Sequence, residues 1–556
     1  MDRDLRRLSA TQFDLAVIGG GIHGACAAWD AALRGWSVAL IDQGDFGHAT
    51  SANSQKIIHG GLRYLQTLDL PRMRESIRER RMFLTVAPHL VSPLPFVMPT
   101  AGRGLRSRSA MAAAFLINDL LSWDRNLGIA DQGQRIPGGR VLSRAECLQV
   151  APELASERLT GGACWHDGQI YGSERLTLAF VQSAAAFGAA AANYVEATGL
   201  LLEGRRATGV RAQDRLTGER LEIRARAVLN TSGPWAGRIA GFLGEGQAGA
   251  PFPALVKAMS IVTRPLTHGV ALGISSRGDG RSNGRLFMIT PWRDHSIIGT
   301  FYAPHGAAPG PCRITEEELD GIVAQVNAAH PAARLRREDI TSVRAGLLPA
   351  DPRDPSAPLA RYRLVDHARR DGIEGLVSVI GVKYTTARDV AEHAVDLVGR
   401  RLGMPARPSL SGRTPVYGGQ IAQVNAFLAD AVRRRPAGLS PEVIRHLVHS
   451  YGSAYPDVLR HIEADPQLGQ CVAGSSEVIR AEVVHGVRAE MAVRLSDVLF
   501  RRTDLGAAEH PGEACLRECA ALMAEELGWD ASRVAREIDV VEAVFPHAGC
   551  VPCLSA

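Results

Sequence analysis

Long apolar stretches are missing from this chain of 556 residues. No uninterrupted apolar run approaches the roughly 18 residues that a membrane-spanning helix needs, so we expect no transmembrane segment. The first residues, MDRDLRRLSATQF, are charged and lack the apolar core of a signal peptide, which argues against secretion. The sequence therefore predicts a cytoplasmic protein.

A strong charge of one sign is missing as well. The chain has 63 Lys and Arg against 58 Asp and Glu, and a net charge of +5 is small for this length. We therefore predict no nucleic-acid partner.

The pattern of a disulfide framework is also absent, because the nine cysteines are scattered along the chain. Two pairs have the short spacings that metal sites often use, Cys515 with Cys519 and Cys550 with Cys553. The first pair falls on one face of a predicted helix, where packing is the simpler interpretation. We expect no metal site, and the role of Cys550 and Cys553 stays open between a redox dithiol and a plain tail.

The strongest motif that is present occupies residues 17–42, VIGGGIHGACAAWDAALRGWSVALID. Gly19 allows a tight turn after a buried strand, Gly21 lets the backbone approach a pyrophosphate, and Gly24 lets helix and strand pack closely. The helix start then faces the anion, and Asp42 ends the second strand where it can accept hydrogen bonds from a ribose. This stretch predicts dinucleotide binding but leaves FAD and NAD open.

Two later segments return to the same site. An apolar strand ends in NTSGPW around Gly233, and another ends in GVKYTT, which contains Gly381, Lys383 and Thr385. An NAD domain needs neither return, whereas a flavoprotein uses the late helix start and Lys383 to stabilise negative charge on the reduced flavin.

The remaining pattern predicts how the rest of the chain is arranged. Residues 176–195 indicate an Ala-rich packed helix, and residues 349–363 indicate a loop rich in Pro and Arg. A linker near residues 403–420 precedes an almost wholly helical tail. Short strands that favour an antiparallel, substrate-facing sheet are predicted at Ser260–Thr263, Leu286–Thr290 and Ser296–Gly299.

The most specific segments are ATSANSQKIIHGGLRYL (49–65), NTSGPW (230–235), TPWRDHSIIGT (290–300) and GVKYTTARDVAEHA (381–394), of which HGGLRYL is the sharpest. Through them the chain resembles, over about residues 13–530, the FAD-dependent glycerol-3-phosphate dehydrogenases of the D-amino-acid-oxidase-like flavoprotein superfamily. The resemblance implies an α/β fold: a Rossmann-like FAD-binding domain of the GR2 type, interleaved with an antiparallel-sheet substrate domain over residues 1–410. A C-terminal α-helical cap domain is expected over residues 411–556.

The resemblance also implies a site. FAD is the expected cofactor, and together with the returning segments the implied contacts are Gly19, Gly21, Gly24, Asp42, Thr50, Ser51, Lys56, His59, Gly233, Gly381, Lys383 and Thr385. Arg63 and Tyr64 match positions that hold the substrate phosphate in the family, and an arginine fork suits a phosphate dianion.

Three positions depart from the family pattern. Leu348 stands where the family usually has an arginine, Ser260 stands where it has a histidine, and Phe301-Tyr302 follows SIIGT where an acidic residue is common. Arg344 is a candidate substitute for the missing guanidinium. The catalytic base stays unassigned between His59 and Lys383.

The predicted function is FAD-dependent oxidation of a small hydroxylated, phosphorylated substrate, with sn-glycerol 3-phosphate going to dihydroxyacetone phosphate as the first candidate. A quinone or oxygen would accept the electrons. Two alternatives stay open: oxidation of an amine or amino acid whose carboxylate is held by Arg344 or Arg63, and a flavin-binding protein without turnover.

Further partners are less determined by the sequence. The basic residues Arg103, Arg106 and Arg108 precede an amphipathic stretch at residues 110–123, which is compatible with docking on an anionic membrane surface and equally with a solvated loop. The resemblance favours peripheral attachment to the inner face of the cytoplasmic membrane. Formation of a homodimer stays open.

Overall fold

The computed structural model describes residues 1–101, 107–244, 252–275, 286–306, 308–310 and 312–545. Four residues singled out above, Arg103, Arg106, Cys550 and Cys553, lie outside these ranges.

Strands and helices alternate in the first three quarters of the described chain, and helices alone follow. The strands are β1 Gln12–Ile18, β2 Val38–Ile41, β3 Ile57–Ile58, β4 Val91–Thr100, β5 Arg140–Ser143, β6 Gly161–Ile170, β7 Ala190–Ala192, β8 Val195–Glu203, β9 Arg206–Asp214, β10 Arg220–Asn230, β11 Leu255–Thr263, β12 Ala271–Ser275, β13 Leu286–Trp292, β14 His295–Gly306, β15 Ile340–Asp351, β16 Asp354–Pro358, β17 Arg363–Asp366 and β18 Leu376–Ile380. The helices are α1 Leu5–Ala10, α2 Ile22–Leu33, α3 Leu70–Val86, α4 Arg108–Leu121, α5 Arg144–Val150, α6 Ser173–Ala186, α7 Ala236–Gly241, α8 Glu316–Ala329, α9 His367–Arg370, α10 Ala387–Leu402, α11 Val424–Arg433, α12 Pro441–Tyr451, α13 Tyr455–Ala464, α14 Arg480–Glu490, α15 Leu495–Asp497, α16 Glu513–Leu527 and α17 Ala531–Glu542.

The first sheet has a parallel centre, in the order β18-β10-β1-β2-β7. Every residue of β2 is buried, as expected for a central parallel strand, and a β8–β9 hairpin pairs with β10 through β9. Helix α2 packs between α6 and α10. The carboxyl ends of the parallel strands therefore meet at one edge, where ligands of open α/β sheets bind.

The second sheet runs in the order β16-β15-β11-β14-β13-β12-β4-β6-β3. Its neighbours are antiparallel except for β4 and β12, which pair in parallel. This interleaving of a Rossmann-like sheet with an antiparallel sheet confirms the predicted fold class.

Two local expectations from the sequence are wrong. The predicted helix over residues 176–195 ends at Ala186, because Gly188 adopts a left-handed φ of +93° and the chain turns back into β7. Ala190–Ala192 then pairs with β2, so sheet pairing overrides the helix preference of alanine. The predicted loop over 349–363 contains the end of β15 and all of β16.

The helices from α11 to the last described residue form the C-terminal part. Cys515 and Cys519 are buried there among apolar side chains, as the packing interpretation requires. Within the described ranges, no group of three or more His, Cys, Asp or Glu side chains is placed to hold a metal ion. None of the described helices is both long and apolar enough to cross a bilayer.

A buried ionic cluster joins this helical part to the first sheet. Asp45, just beyond β2, accepts hydrogen bonds from Arg501 and Arg502 at 2.7–2.8 Å. Tyr194 donates to Asp497 at 2.6 Å in the same cluster. The contact between the two parts is therefore ionic at this point rather than apolar. Each buried charge has a partner of the opposite sign, and the buried tyrosine hydroxyl has a hydrogen-bond acceptor.

Candidate active site

A cavity of about 990 Å³ opens where the carboxyl ends of the parallel strands face the second sheet. Its wall runs from the glycine turn after β1, along residues 47–66, to strands β13–β15 and the turn after β18. This volume is at the upper end of the roughly 300–1,000 Å³ of ligand pockets, and the length of the wall suits an extended ligand.

The glycine turn has the geometry that its motif predicts. Gly19 has a φ of +102°, and a Cβ atom there would lie 2.7 Å from the Cα atom of Ser232. A Cβ atom on Gly24 would lie 1.8 Å from the carbonyl oxygen of Gly19. Gly24 therefore permits close packing and does not itself line the cavity, whereas Gly19 and Gly21 do. The start of α2 is left open to an anionic ligand.

Asp42 lies at the end of β2 and lines the cavity. Its carboxylate accepts hydrogen bonds from the backbone N–H groups of Gly20 at 2.6 Å and Gly44 at 2.9 Å. His48, which the sequence did not single out, lies 3.4 Å from the same carboxylate. These contacts hold the acid at the place where the motif predicts a ribose.

Thr50, Ser51 and Thr385 line the middle of the cavity. The Ser51 hydroxyl accepts a hydrogen bond from the Ile22 N–H at 2.9 Å and so caps the first turn of α2. The Thr385 hydroxyl accepts from the N–H of His59 at 3.3 Å. These hydroxyls tie the two segments that flank β3 to the helix starts, the preceding segment to α2 and the following one to α10.

Gly233 and Gly381 also line the cavity, at the two predicted returns. A Cβ atom on Gly381 would lie 2.4 Å from the imidazole of His23. His23 occupies the first turn of α2, and its buried Nε2 atom has no hydrogen-bond partner. The sequence analysis did not single out this histidine, although its place inside the GxGxxG motif was the available signal.

Three cationic side chains surround the ring of Tyr64. The Lys383 Nζ atom lies 4.5 Å from the ring centre, and the guanidinium carbons of Arg72 and Arg63 lie at 4.4 and 5.2 Å. Within the described residues, none of the three has a carboxylate at ion-pair distance. Burial, followed by the charges of Arg72 and Arg63, lowers the pKa of Lys383 to about 7.

His59 stands beside this group, with its ring 5.9 Å from that of Tyr64. Burial, together with the positive charges of Arg63 and Lys383, lowers the pKa of His59 well below its usual value. Its buried Nδ1 atom has no partner. His59 is therefore a neutral imidazole with one ring nitrogen available to a ligand.

Besides Gly24 and Tyr64, two further predicted contacts, Lys56 and Arg344, are not among the residues that line the cavity. The Lys56 ammonium lies 2.6 Å from the carboxylate of Glu174. Arg344 donates to the carbonyl oxygens of Ala52 at 3.2 Å and Ala507 at 2.7 Å. Both side chains are buried, which places them behind the wall of the site.

The positions that depart from the family pattern carry no charge in this structure. Leu348 and Tyr302 line the cavity directly. Ser260 is buried and donates to the Oε1 atom of Gln55 at 2.9 Å, while the Gln55 amide donates to the carbonyl oxygen of Gly299 at 3.1 Å. Gln55, which does line the cavity, is thus a fixed polar group that the sequence analysis missed.

The residues present fit a flavin dinucleotide. The glycine turn and the start of α2 suit the pyrophosphate, Asp42 suits the ribose, and the unpartnered Nε2 atom of His23 faces the space left by Gly381. Lys383 and the start of α10 supply positive charge at the other end.

Comparison with known proteins gives the same result. The sequence pattern of the FAD dependent oxidoreductase family matches residues 14–397, and that of the C-terminal domain of alpha-glycerophosphate oxidase matches residues 409–534. The chain is 32% identical to a glycerol-3-phosphate dehydrogenase of Synechocystis sp., with 99% of each sequence covered. It is 34% identical to glycerol-3-phosphate dehydrogenase 2 of Mycobacterium bovis, covering 96% of this chain and 88% of that protein.

A solved structure is similar along the whole length. The glycerol-3-phosphate dehydrogenase of Bacillus halodurans, crystallised with FAD, superposes with a TM-score of 0.74 and 26% identity, covering 97% of this chain and 95% of that one. With these matches and the dinucleotide geometry of the cavity, the chain belongs to the FAD-dependent glycerol-3-phosphate dehydrogenase family and is an FAD-dependent oxidoreductase.

Proposed function

We propose that the protein oxidises sn-glycerol 3-phosphate to dihydroxyacetone phosphate and passes the electrons to a quinone. The observation that carries the substrate is the pair of guanidinium groups of Arg72 and Arg63 on the Tyr64 ring, neither of which has a carboxylate at ion-pair distance in the described chain. The two guanidinium groups repel each other, and a bound phosphate dianion would relieve that repulsion. The names of the relatives support the same substrate.

Within this proposal, Arg63 binds the substrate phosphate, because its side chain lines the cavity while Tyr64 supports it from behind. The Arg63 guanidinium donates to the Tyr64 hydroxyl at 3.4 Å, which limits its movement. Arg344 keeps a supporting role in the wall. FAD held by the glycine turn and Asp42 would supply the two-electron oxidant for the substrate carbon.

The proton of the substrate hydroxyl needs an acceptor, and we assign it to the Nζ atom of Lys383. A pKa of about 7 leaves a large neutral fraction of this amine at neutral pH, as a general base requires. His59 stays neutral and holds the reacting oxygen by a hydrogen bond through a ring nitrogen. Gln55 lines the neighbouring wall and is fixed by a hydrogen bond from Ser260, the residue that stands where the family has a histidine.

The test uses the purified yellow protein under anaerobic conditions. Glycerol 3-phosphate should bleach the flavin absorbance, while glycerol and a panel of amino acids should not. Bleaching by an amino acid alone would show that the protein is an amine oxidase instead. If no compound bleaches the flavin, the protein binds FAD without this turnover. Re-oxidation of the bleached protein by a soluble quinone, faster than by oxygen, tests the acceptor.

We also propose that helix α4 docks on an anionic lipid surface. One stripe of this helix and the turn after it is apolar and exposed: Leu116 is 65% exposed, Leu120 68% and Trp123 75%. Solvent-facing stripes of helices are normally polar, and contiguous apolar patches mark interaction sites.

Two further observations favour lipid as the occupant. The exposed Arg108 begins the helix, and the sequence places Arg103 and Arg106 just before it, which suits anionic headgroups. Ala110 and Ala114 on another side of α4 line the cavity. A lipid-soluble quinone would therefore enter close to the site.

A further inference from the structure

Arg72 is the one cation of the Tyr64 group that neither the motifs nor the family pattern singled out. It lies in the first turn of α3, which Asp69 caps by accepting a hydrogen bond from the Arg72 backbone N–H. Its guanidinium lies over the Tyr64 ring at 4.4 Å, closer than those of the two predicted residues.

The guanidinium of Arg72 forms no ion pair within the described residues. The carboxylate of Asp69, which caps this helix, accepts a hydrogen bond from the side chain of Arg361 at 2.7 Å. The Nε atom of Arg72 is buried and has no hydrogen-bond partner. A buried donor without a partner and a cation without an ion pair are two independent signs of an incomplete site.

Another part of the cavity wall carries no charge where the resemblance implies one. Leu348 stands at the position of the implied arginine, and this apolar side chain lines the cavity. A second guanidinium beside Arg63 would make up for that charge. Arg72 is held close to both Arg63 and Lys383 by the shared tyrosine ring.

We propose that Arg72 is a positioning residue of the substrate-anion site, which acts through Tyr64 and Lys383 and replaces the charge that Leu348 lacks. It clamps the Tyr64 ring by a cation–π contact, and this keeps the tyrosine hydroxyl against Arg63. Its charge adds to the attraction for a phosphate dianion at the cavity wall. The proposal rests on the proposed function, since it names a residue of that same site.

The pKa of Lys383 provides a second test of the role of Arg72. The charged and titratable groups that face its amine are Arg63, Arg72, Glu75, Asp69 and His59. Removal of the positive charge of Arg72 makes protonation of Lys383 easier, so its pKa should rise. A residue that only supported the fold would not shift this pKa.

The first experiment measures binding without turnover. Inorganic phosphate should raise the thermal midpoint of the FAD-loaded wild-type protein, and Arg72→Gln should weaken phosphate binding roughly tenfold. Arg72→Lys keeps the charge and should retain most of the binding. Arg74→Gln is the matched control, because Arg74 lies in the same helix but pairs with Asp124, and phosphate should bind to it as to the wild type.

The second experiment follows kcat/KM for glycerol 3-phosphate against pH. Arg72→Gln should move the acid limb upward by roughly one pH unit, whereas Arg74→Gln should leave it in place. If phosphate raises the thermal midpoint of Arg72→Gln as much as that of the wild-type protein, the inference is overturned. Equal losses in Arg72→Lys and Arg72→Gln would overturn it as well, and so would the absence of any phosphate response in the wild type.

The two proposals can fail separately. If glycerol 3-phosphate is not oxidised but phosphate binding depends on Arg72, the anion site stands and the substrate assignment falls. If glycerol 3-phosphate is oxidised but phosphate binding ignores Arg72, the substrate stands and the role of Arg72 falls.

Discussion

The Nζ atom of Lys383 lies 4.5 Å from the centre of the Tyr64 ring, although 319 positions separate the two residues in the sequence. The contact joins the turn after β18 to the segment that follows HGG, and so brings the proposed base next to the proposed phosphate ligand. Its chemistry depends on the neighbouring positive charges that lower the pKa of the amine.

The first prediction concerns the pH dependence of the proposed base. With a pKa lowered to about 7 by burial and then by Arg72 and Arg63, Lys383 is protonated below neutrality and free to accept a proton above it. The rate should therefore rise from pH 6 to 8 and then level off. Lys383→Met should lower kcat by roughly 100-fold or more and remove this limb. Persistence of the limb in Lys383→Met would assign it to another group that faces the site.

The second prediction separates the phosphate contact from the rest of the site. Arg63→Ala should weaken binding of glycerol 3-phosphate by roughly 1.5–3 kcal/mol, the contribution of a hydrogen bond to a charged group. Binding of uncharged glycerol should not change. Titration of the flavin absorbance with each compound measures both, and equal losses for the two ligands would show that Arg63 shapes the site without binding phosphate.

The third prediction concerns the ion pair of Lys56 and Glu174. Burial alone would raise the pKa of Glu174, but the Lys56 ammonium outweighs it and lowers this pKa to about 2. The stability that the carboxylate contributes is therefore present above its unfolded pKa, near 4.3, and is lost as the pH falls towards 2. Glu174→Gln should lower the free energy of unfolding by about 3–5 kcal/mol at neutral pH, because it leaves Lys56 buried and unpaired.

Urea unfolding of the FAD-loaded protein checks this loss. The control is Arg517→Gln, which removes an exposed ion pair with Glu513 and should change the free energy of unfolding little. A variant Glu174→Gln as stable as Arg517→Gln would refute a structural role of the pair.

The fourth prediction tests the close approach of α2 to β1. Gly24→Ala places a methyl group 1.8 Å from the Gly19 carbonyl oxygen, so the turn must shift and FAD binding should be lost or strongly weakened. Gly321→Ala is the matched control, since no atom lies within 4 Å of the added methyl group and alanine favours the helix there. The ratio of flavin to protein absorbance after gel filtration measures the outcome, and full FAD content in Gly24→Ala would contradict the geometry.

The fifth prediction concerns α4. Co-sedimentation with vesicles of phosphatidylglycerol and phosphatidylcholine should drop roughly tenfold or more in the double variant Leu116→Ser/Leu120→Ser, since each leucine contributes about 1.5–3 kcal/mol when it leaves water. Leu410→Ser, an exposed leucine far along the chain, is the control. Unchanged sedimentation would exclude α4 as the lipid contact, and a shift from dimer to monomer would show that a second copy covers it.

The fold could be predicted from the sequence where a local pattern of residues is compatible with only one structure. The turn around Gly19, the strand that ends before Asp42 and the strand before Lys383 could be predicted, because close packing at the turn and buried parallel strands each need particular residue types. Residues 176–195 could not be predicted in full, because alanine is compatible with both a packed helix and a buried strand, and only pairing with β2 decides.

The candidate site was harder to predict because side-chain direction depends on the assembled fold. Lys56 lies in the correct segment, yet its ammonium turns to Glu174 rather than to the cavity. Arg344 sits at a strand position whose side chain points behind the wall. Arg72 was missed for the opposite reason, since no spacing rule marks a residue that reaches a site through another side chain. His23 was missed although it lies inside the GxGxxG motif.

The contact of Asp45 with Arg501 and Arg502 has a consequence for folding. Asp45 follows Asp42 by three positions, so the segment that carries the proposed ribose ligand also anchors the C-terminal helices. Loss of those helices would leave a buried carboxylate without its two guanidinium partners, and loss of FAD would loosen the segment to which they attach. Cofactor binding and the folding of the helical part are therefore thermodynamically linked, and the two should melt in one cooperative transition whose midpoint rises with FAD concentration.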